Sequence, residues 1–226
     1  MKHIAGILAL FAAAGLTAAT VHVDNVKGDD ANDGSAERPV ASIERGLALL
    51  KRSDRLEVAP NGGKPYRRPY PGAVGRSLDI RLGGTAEQPM VIDGNGAVIS
   101  GLSAVPADRW KEAGNGVYEL PFWPMSNMYK HYAKQDYWLP ESRIFFVDGK
   151  AAANCLTRAE MEKTPGGFWW SRRQRKLFFR PPEGRTIAEL TVELPANAGF
   201  YVLADHVRVE NFTVILSWND GFDAAG

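Results

Sequence analysis

Two aspartates close to the end of the sequence, Asp220 and Asp223, are residue types that can act as acid and base on a glycosidic bond. Trp218 beside them offers an indole face on which a sugar ring can stack. Side chains in a strand alternate every two residues, so a spacing of three does not put both carboxylates on one strand face. A turn between them can, and Asp220-Gly221 is also a pair that simply makes a corner. A second candidate group lies in the aromatic, basic run 129–138. There His131, Tyr137 and Trp138 can form a platform for a sugar, or can pack an irregular insert onto its neighbours.

The elements that must carry these residues are short strands. Val207 and Val209 alternate with Arg208 and Glu210, Asn211 marks a corner, and Phe212, Val214 and Leu216 alternate again. This is the pattern of one rung in a stacked β-coil, with the start of another after it. Each rung buries its apolar side only against its neighbours, so further rungs are expected after Gly226, and with them most of the catalytic coils. Upstream, Val21-His22-Val23, Leu56 to Ala59, Leu78 to Leu82, Met90 to Ile92 before Asp93-Gly94, and Val98-Ile99 repeat the two-residue period. From Leu56 onward their spacing is too short for crossover helices, which predicts parallel rungs joined by turns. One helix is expected after Pro39, with Ser42 as its cap and Ile43, Leu47 and Leu50 on one face.

The texture changes between Val105 and Pro182, where five of the six tryptophans fall. Ile144 to Val147 leads into Asp148-Gly149, a dipeptide suited to a tight hairpin. Phe168 to Ser171 and Lys176 to Phe179 flank Arg172-Arg173-Gln174-Arg175, a second hairpin whose tip is either a solvated turn or a patch for polyanions. Thr157 and Glu160 fit a capping box opening one helical turn. This stretch reads as an inserted β-rich subdomain.

Lys2, the apolar run Ile4 to Leu16 and the small residues Thr17-Ala18-Ala19 predict a secretory leader over residues 1–19, and hence a secreted or periplasmic protein without a membrane span in its mature form. Without the leader, basic and acidic residues balance at 26 each, so no net field draws the protein to nucleic acid or an anionic membrane. The lone Cys155 excludes an internal disulfide and is expected to pack as a small apolar residue. Asp29 to Gly34 clusters oxygen ligands, but Ala31 and Val40 stand where a calcium loop needs oxygen donors; Asx turns are expected, and no metal or cofactor. Asn211-Phe212-Thr213 fits a glycosylation sequon, although the coil pattern assigns Asn211 to a corner.

Asn32-Asp33-Gly34-Ser35, Pro39, Ser42-Ile43 and Gly46-Leu47 resemble the opening of secreted right-handed parallel β-helix proteins of the pectate-lyase-like superfamily. Gly83 to Gly94 resembles their continuation and Val207 to Asp223 their first regular coils. The stretches 144–149 and 168–179 are similar to a β-sandwich-like module inserted in some β-helix glycosidases. The expected fold is therefore all-β: a right-handed parallel β-helix with an N-terminal capping helix and a β-rich inserted subdomain. Its divisions are 1–19 leader, 20–104 cap and first coils, 105–186 insert, and 187–226 resumed coils. The resemblance implies an exported carbohydrate-active protein, a glycoside hydrolase or polysaccharide lyase acting on a polysaccharide or oligosaccharide. The alternative is a non-catalytic surface or carbohydrate-binding protein on the same scaffold. An enzyme predicts carboxylates or cations converging on one face of consecutive coils.

Overall fold

The structure is a computed structural model that describes residues 18–72, 76–121, 144–171, 173–218 and 220–224. The protein is mostly β. Its elements in chain order are β1 (Thr20–Val23), α1 (Ile43–Leu49), β2 (Arg55–Val58), β3 (Tyr66–Arg67), β4 (Arg76–Ile80), β5 (Met90–Ser100) and β6 (Leu102–Ala104). Then follow β7 (Lys111–Glu112), β8 (Tyr118–Pro121), β9 (Phe146–Val147), β10 (Lys150–Ala151), β11 (Ala153–Asn154) and α2 (Arg158–Met161). The chain continues through β12 (Gly167–Ser171), β13 (Lys176–Phe179), β14 (Val192–Pro195), β15 (Asn197–Val202), β16 (Val207–Ile215) and β17 (Phe222–Ala224).

Two sheets are wholly parallel. One has the order β1-β2-β5-β16, with β3 also on β5; the other has the order β17-β15-β4. Alternation explains their packing: Val21 and Val23, Leu56 and Val58, Met90 and Ile92, and Leu78 and Ile80 all point inward, together with Phe200. These residues and Ile43 of α1 form one core, so the two sheets and the helix share a single apolar interior. α1 lies between β1 and β2, and among the described residues no further α-helix separates β2 from β5. The parallel pairing of these strands agrees with the expectation from the sequence. β5 and β16 each run through a corner, where their register shifts between Glu210 and Phe212. Asn95 (φ 48°) and Asn211 (φ 59°) hold left-handed backbone there, a conformation asparagine tolerates better than most residues. The sequence had separated Met90–Ile92 from Val98–Ile99; they are one bent strand.

The helix forms as its sequence predicts. Ser42 Oγ accepts the N–H of Arg45 at 3.1 Å, and Ile43 and Leu50 are buried. α1 lies close on the sheet because Gly46 has no side chain; a Cβ there would meet Val23 Cγ2 at 2.5 Å and Leu56 Cδ1 at 2.8 Å. Gly46→Ala is therefore expected to lower stability by about 1–3 kcal/mol despite alanine's better helix propensity. Urea unfolding measures it, and a stabilised variant would contradict this packing.

The intervening residues form two further sheets. β9 and β10 make the expected hairpin, with positive φ at Asp148 (49°) and Gly149 (75°). β12 and β13 pair antiparallel, β8 and β7 extend that sheet, and residues 173–175 between β12 and β13 form a turn. Phe145, Phe168 and Phe179 pack with Trp110 in a second core, the Trp110 and Phe145 rings meeting edge to face at 6.1 Å. Thr157 caps α2 by accepting the Glu160 N–H, while the Glu160 carboxylate accepts from Leu156 one residue further out than a capping box requires. Cys155 is buried beside Met161 and Phe178. β14 pairs antiparallel with β6 and β9, so parallel pairing resumes at β15 and not from residue 187. Among the described residues no helix is long and apolar enough to cross a membrane.

Candidate functional site

The outer faces of the two parallel sheets carry the polar residues, and they differ in kind. On β1-β2-β5-β16, the register sets His22, Glu57, Asp93 and Glu210 side by side across four strands. Cations lie among them. Arg55 bonds Glu57 at 3.0 Å and Asp93 at 2.6 Å, Arg208 bonds Glu210 at 3.0 Å, and His22 Nδ1 lies 3.7 Å from Glu57. Each carboxylate of this ladder has a cationic partner, and the hollow at its β1 end is small, about 210 Å³. Its role is to tie neighbouring strands together.

Asp93 is the best-fixed member of the ladder. Its side chain is 9% exposed, and Oδ1 accepts from Asn211 Nδ2 and the Asn95 N–H, both at 2.9 Å. The Asn211 amide first, then the Asn95 N–H and Arg55, hold the Asp93 carboxyl below its ordinary value, against the opposing effect of burial. A lowered native value stabilises the fold above the ordinary carboxylate pKa of about 3.9, and that contribution is lost as pH falls through the native value. Asn211→Gly keeps the left-handed corner and removes only the amide. The variant is expected to be about 1–2 kcal/mol less stable at pH 7, with a smaller deficit near pH 3. Denaturant titrations at both pH values measure this, and an equal deficit at both would contradict it. The corner assignment for Asn211 therefore holds, with a carboxylate from the neighbouring strand as its amide's partner.

On the other sheet the outward row is Asp79, Tyr201 and Asp223. β15 lies between β4 and β17, with Tyr201 in register with Asp79 on one side and Asp223 on the other. The inward neighbours Leu78, Ile80 and Phe200 are in the core, which turns this row outward. Neighbouring strands stand about 4.8 Å apart, so the Asp79 and Asp223 backbones are separated by about 9–10 Å. Asp79 accepts from Ser77 Oγ at 2.5 Å and from Arg81 Nη2 at 2.6 Å, both donors lying on the same strand face. Tyr201 and Asp223 are half-buried.

An open groove of about 500 Å³ runs along β4 on the side away from β15, between that strand and α1. Asp79, Ser77 and Arg81 line it with Glu44 on the helix, over an apolar floor that includes Leu78 and Leu47. Its size fits a small organic ligand. The floor is anchored by Arg68, which is 7% exposed and donates from Nη2 to the carbonyls of Arg76 (2.8 Å) and Ala198. That bridge joins the start of β4 to β15 and so fixes the register that sets Asp79 beside Tyr201. Burial pushes the Arg68 guanidinium down to about 10, partly offset by Glu44, whose Oε1 is 3.6 Å from Nε.

Of the residues singled out from the sequence, Asp223 lies in this row. Asp220 is exposed just before β17, and its carbonyl accepts the Gly199 N–H at 3.0 Å. Trp218 packs against the second core and donates its backbone N–H to the Asn197 carbonyl at 2.9 Å. His131, Tyr137 and Trp138 lie outside the described residues. Asp79 and Tyr201 were missed, although Leu78-Asp79-Ile80 and Phe200-Tyr201-Val202 alternate clearly enough to turn both outward. In the Asp29–Gly34 loop, Asp29 and Asp33 accept N–H groups two residues on, as Asx turns require, while Asp30 accepts those of Ala41 and Ser42 at the start of α1.

No protein-family model matches the chain, and no curated protein matches it. Two solved structures are similar to it. XylC in complex with xylose has a TM-score of 0.52 at 13% identity, the match covering 89% of this chain and 36% of that one. A glycoside hydrolase has a TM-score of 0.42 at 14% identity, covering 89% of this chain and 51% of the other. The chain thus spans about half or less of the length of the structures it matches. At these identities the likeness to XylC is one of fold.

Proposed function

We propose that this protein is a carbohydrate-active parallel β-helix whose described coils carry a glycan site on the Asp79–Tyr201–Asp223 face. The observation that carries this is the row itself: an aromatic ring flanked by two carboxylates on adjacent parallel strands, beside an open groove. The tyrosine face suits the C–H side of a sugar ring, while carboxylate and guanidinium groups match its hydroxyls as acceptors and donors. The XylC structure holds xylose, which makes neutral sugars the first ligands to test. The balanced charge of the chain agrees with neutral or mixed glycans over strongly acidic ones.

The chemistry proposed for the row is hydrolysis with inversion. Inverting glycosidases place their carboxyl groups about 6.5–9.5 Å apart, leaving room for a water on the far side of the sugar. Side chains leaning inward from backbones about 9–10 Å apart reach that range. Donors on both oxygens assign Asp79 the proton-accepting role, activating water, and leave Asp223 to protonate the departing oxygen. A second reading, glycan binding without cleavage, is favoured by the same donors, because Ser77 and Arg81 already satisfy both oxygens of Asp79.

Titration with neutral oligosaccharides, with product release assayed in parallel, tests both. Tyr201→Ala is expected to weaken binding by roughly tenfold, about the value of one aromatic stacking contact. Unchanged affinity in that variant would overturn the site. Binding without any release of shorter sugars would decide for the second reading.

A further inference from the structure

Asp54 is a buried carboxylate that neither the groove nor the ion-pair ladder uses. It is 6% exposed and lies just after α1. Among the described residues its hydrogen-bond partners are backbone N–H groups: Oδ1 accepts from Ala19 at 2.9 Å and Oδ2 from Lys51 at 2.7 Å. A carboxylate removed from water without a positive charge beside it is costly to the fold. Ala19 is also part of the sheet, since its carbonyl accepts the Arg55 N–H at 2.8 Å, immediately before Thr20 pairs with Arg55 in the β1–β2 register. A leader cut after Ala19, the position suggested by Thr17-Ala18-Ala19, would discard both bonds.

We propose that export processing cuts the Ala18–Ala19 peptide bond and that the α-ammonium of Ala19 so formed is the ion-pair partner of Asp54. This rests on the reading of the leader as a secretory signal and is independent of the glycan site. Water adds across the bond. Ala18 departs as a carboxylate with residues 1–18, and the Ala19 nitrogen becomes an amine that is protonated at neutral pH. That nitrogen already stands at hydrogen-bond distance from Asp54 Oδ1, so the charge arrives without rearrangement, and a neutral hydrogen bond becomes a charge-assisted one. Ala18 and Ala19 are both exposed, within reach of a protease. Removal of the leader would then tighten the anchoring of β1, so that the exported form is the more stable one.

The test is to express the full chain with its leader in a secreting bacterial host and to read the start of the exported protein by intact mass. A chain beginning at Ala19 is expected; a start at any other residue, or failure to export, overturns the proposed cut. The exported protein is then compared with the same protein acetylated selectively at its α-amine, which keeps one N–H and removes the charge. Acetylation is expected to lower the melting temperature by roughly 3 °C or more. Equal melting temperatures would overturn the ion pair. In Asp54→Asn, acetylation should no longer change the melting temperature; should that variant fail to fold, the acetylation comparison in the parent protein alone decides.

Discussion

Replacing Asp223 with asparagine is expected to reduce turnover of a neutral oligosaccharide by roughly 10²–10⁴-fold, with little change in affinity, because the amide can still hydrogen-bond a hydroxyl but cannot supply a proton. Asp79→Asn is expected to cost a similar factor by removing the group that takes a proton from water. The two variants should also be non-additive, since each carboxyl is of use to the reaction only while the other works. Rate measurements at saturating substrate separate this from a binding defect. A parent protein that binds but does not cleave would assign both residues to recognition. Losses of less than about tenfold in a cleaving enzyme would place the chemistry elsewhere.

Phe200→Ala carries the largest expected effect on stability. Phe200 is 2% exposed, and its ring meets that of Phe212 at 4.9 Å, so it joins the β4–β15–β17 sheet to β16 of the other sheet. Truncating a buried phenylalanine costs about 3–5 kcal/mol, which for a chain of this length lowers the melting temperature by roughly 10 °C. The substitution also bears on function, since Tyr201 is the next residue and takes its outward direction from Phe200 pointing in. Glycan affinity should therefore fall even at temperatures where the variant remains folded. A cost below about 1 kcal/mol would show that the two sheets do not share one interior.

Much of this architecture could be read from alternation. Val21-His22-Val23, Leu56 to Val58 and Val207 to Val209 show the two-residue period that their inward and outward faces follow. Local chemistry was equally legible: the Ser42 cap, the Asp148-Gly149 hairpin and the left-handed corner at Asn211 each need a particular residue at a particular place. What alternation does not encode is which strand lies next to which. Asp79 and Asp223 are far apart in the chain and meet only because β15 accepts both β4 and β17 as parallel partners. The direction of pairing is just as hidden, and β14 alternates like a coil strand while pairing antiparallel. Asp220 drew notice through its proximity to Asp223, yet its part in the fold is played by its carbonyl. The ladder on the opposite sheet was hidden for the same reason as Asp79, since Arg55, Glu57, Asp93 and Glu210 come from three separate strands.

The most direct test of the glycan site is a crystal structure of the protein soaked with a neutral oligosaccharide such as a xylose oligomer. Sugar density stacked on Tyr201, with hydroxyls within hydrogen-bond distance of Asp79 and Asp223, is the predicted result. A sugar seated on the His22–Glu57–Asp93 ladder, or an empty Tyr201 face at ligand concentrations that saturate the protein in solution, would contradict it.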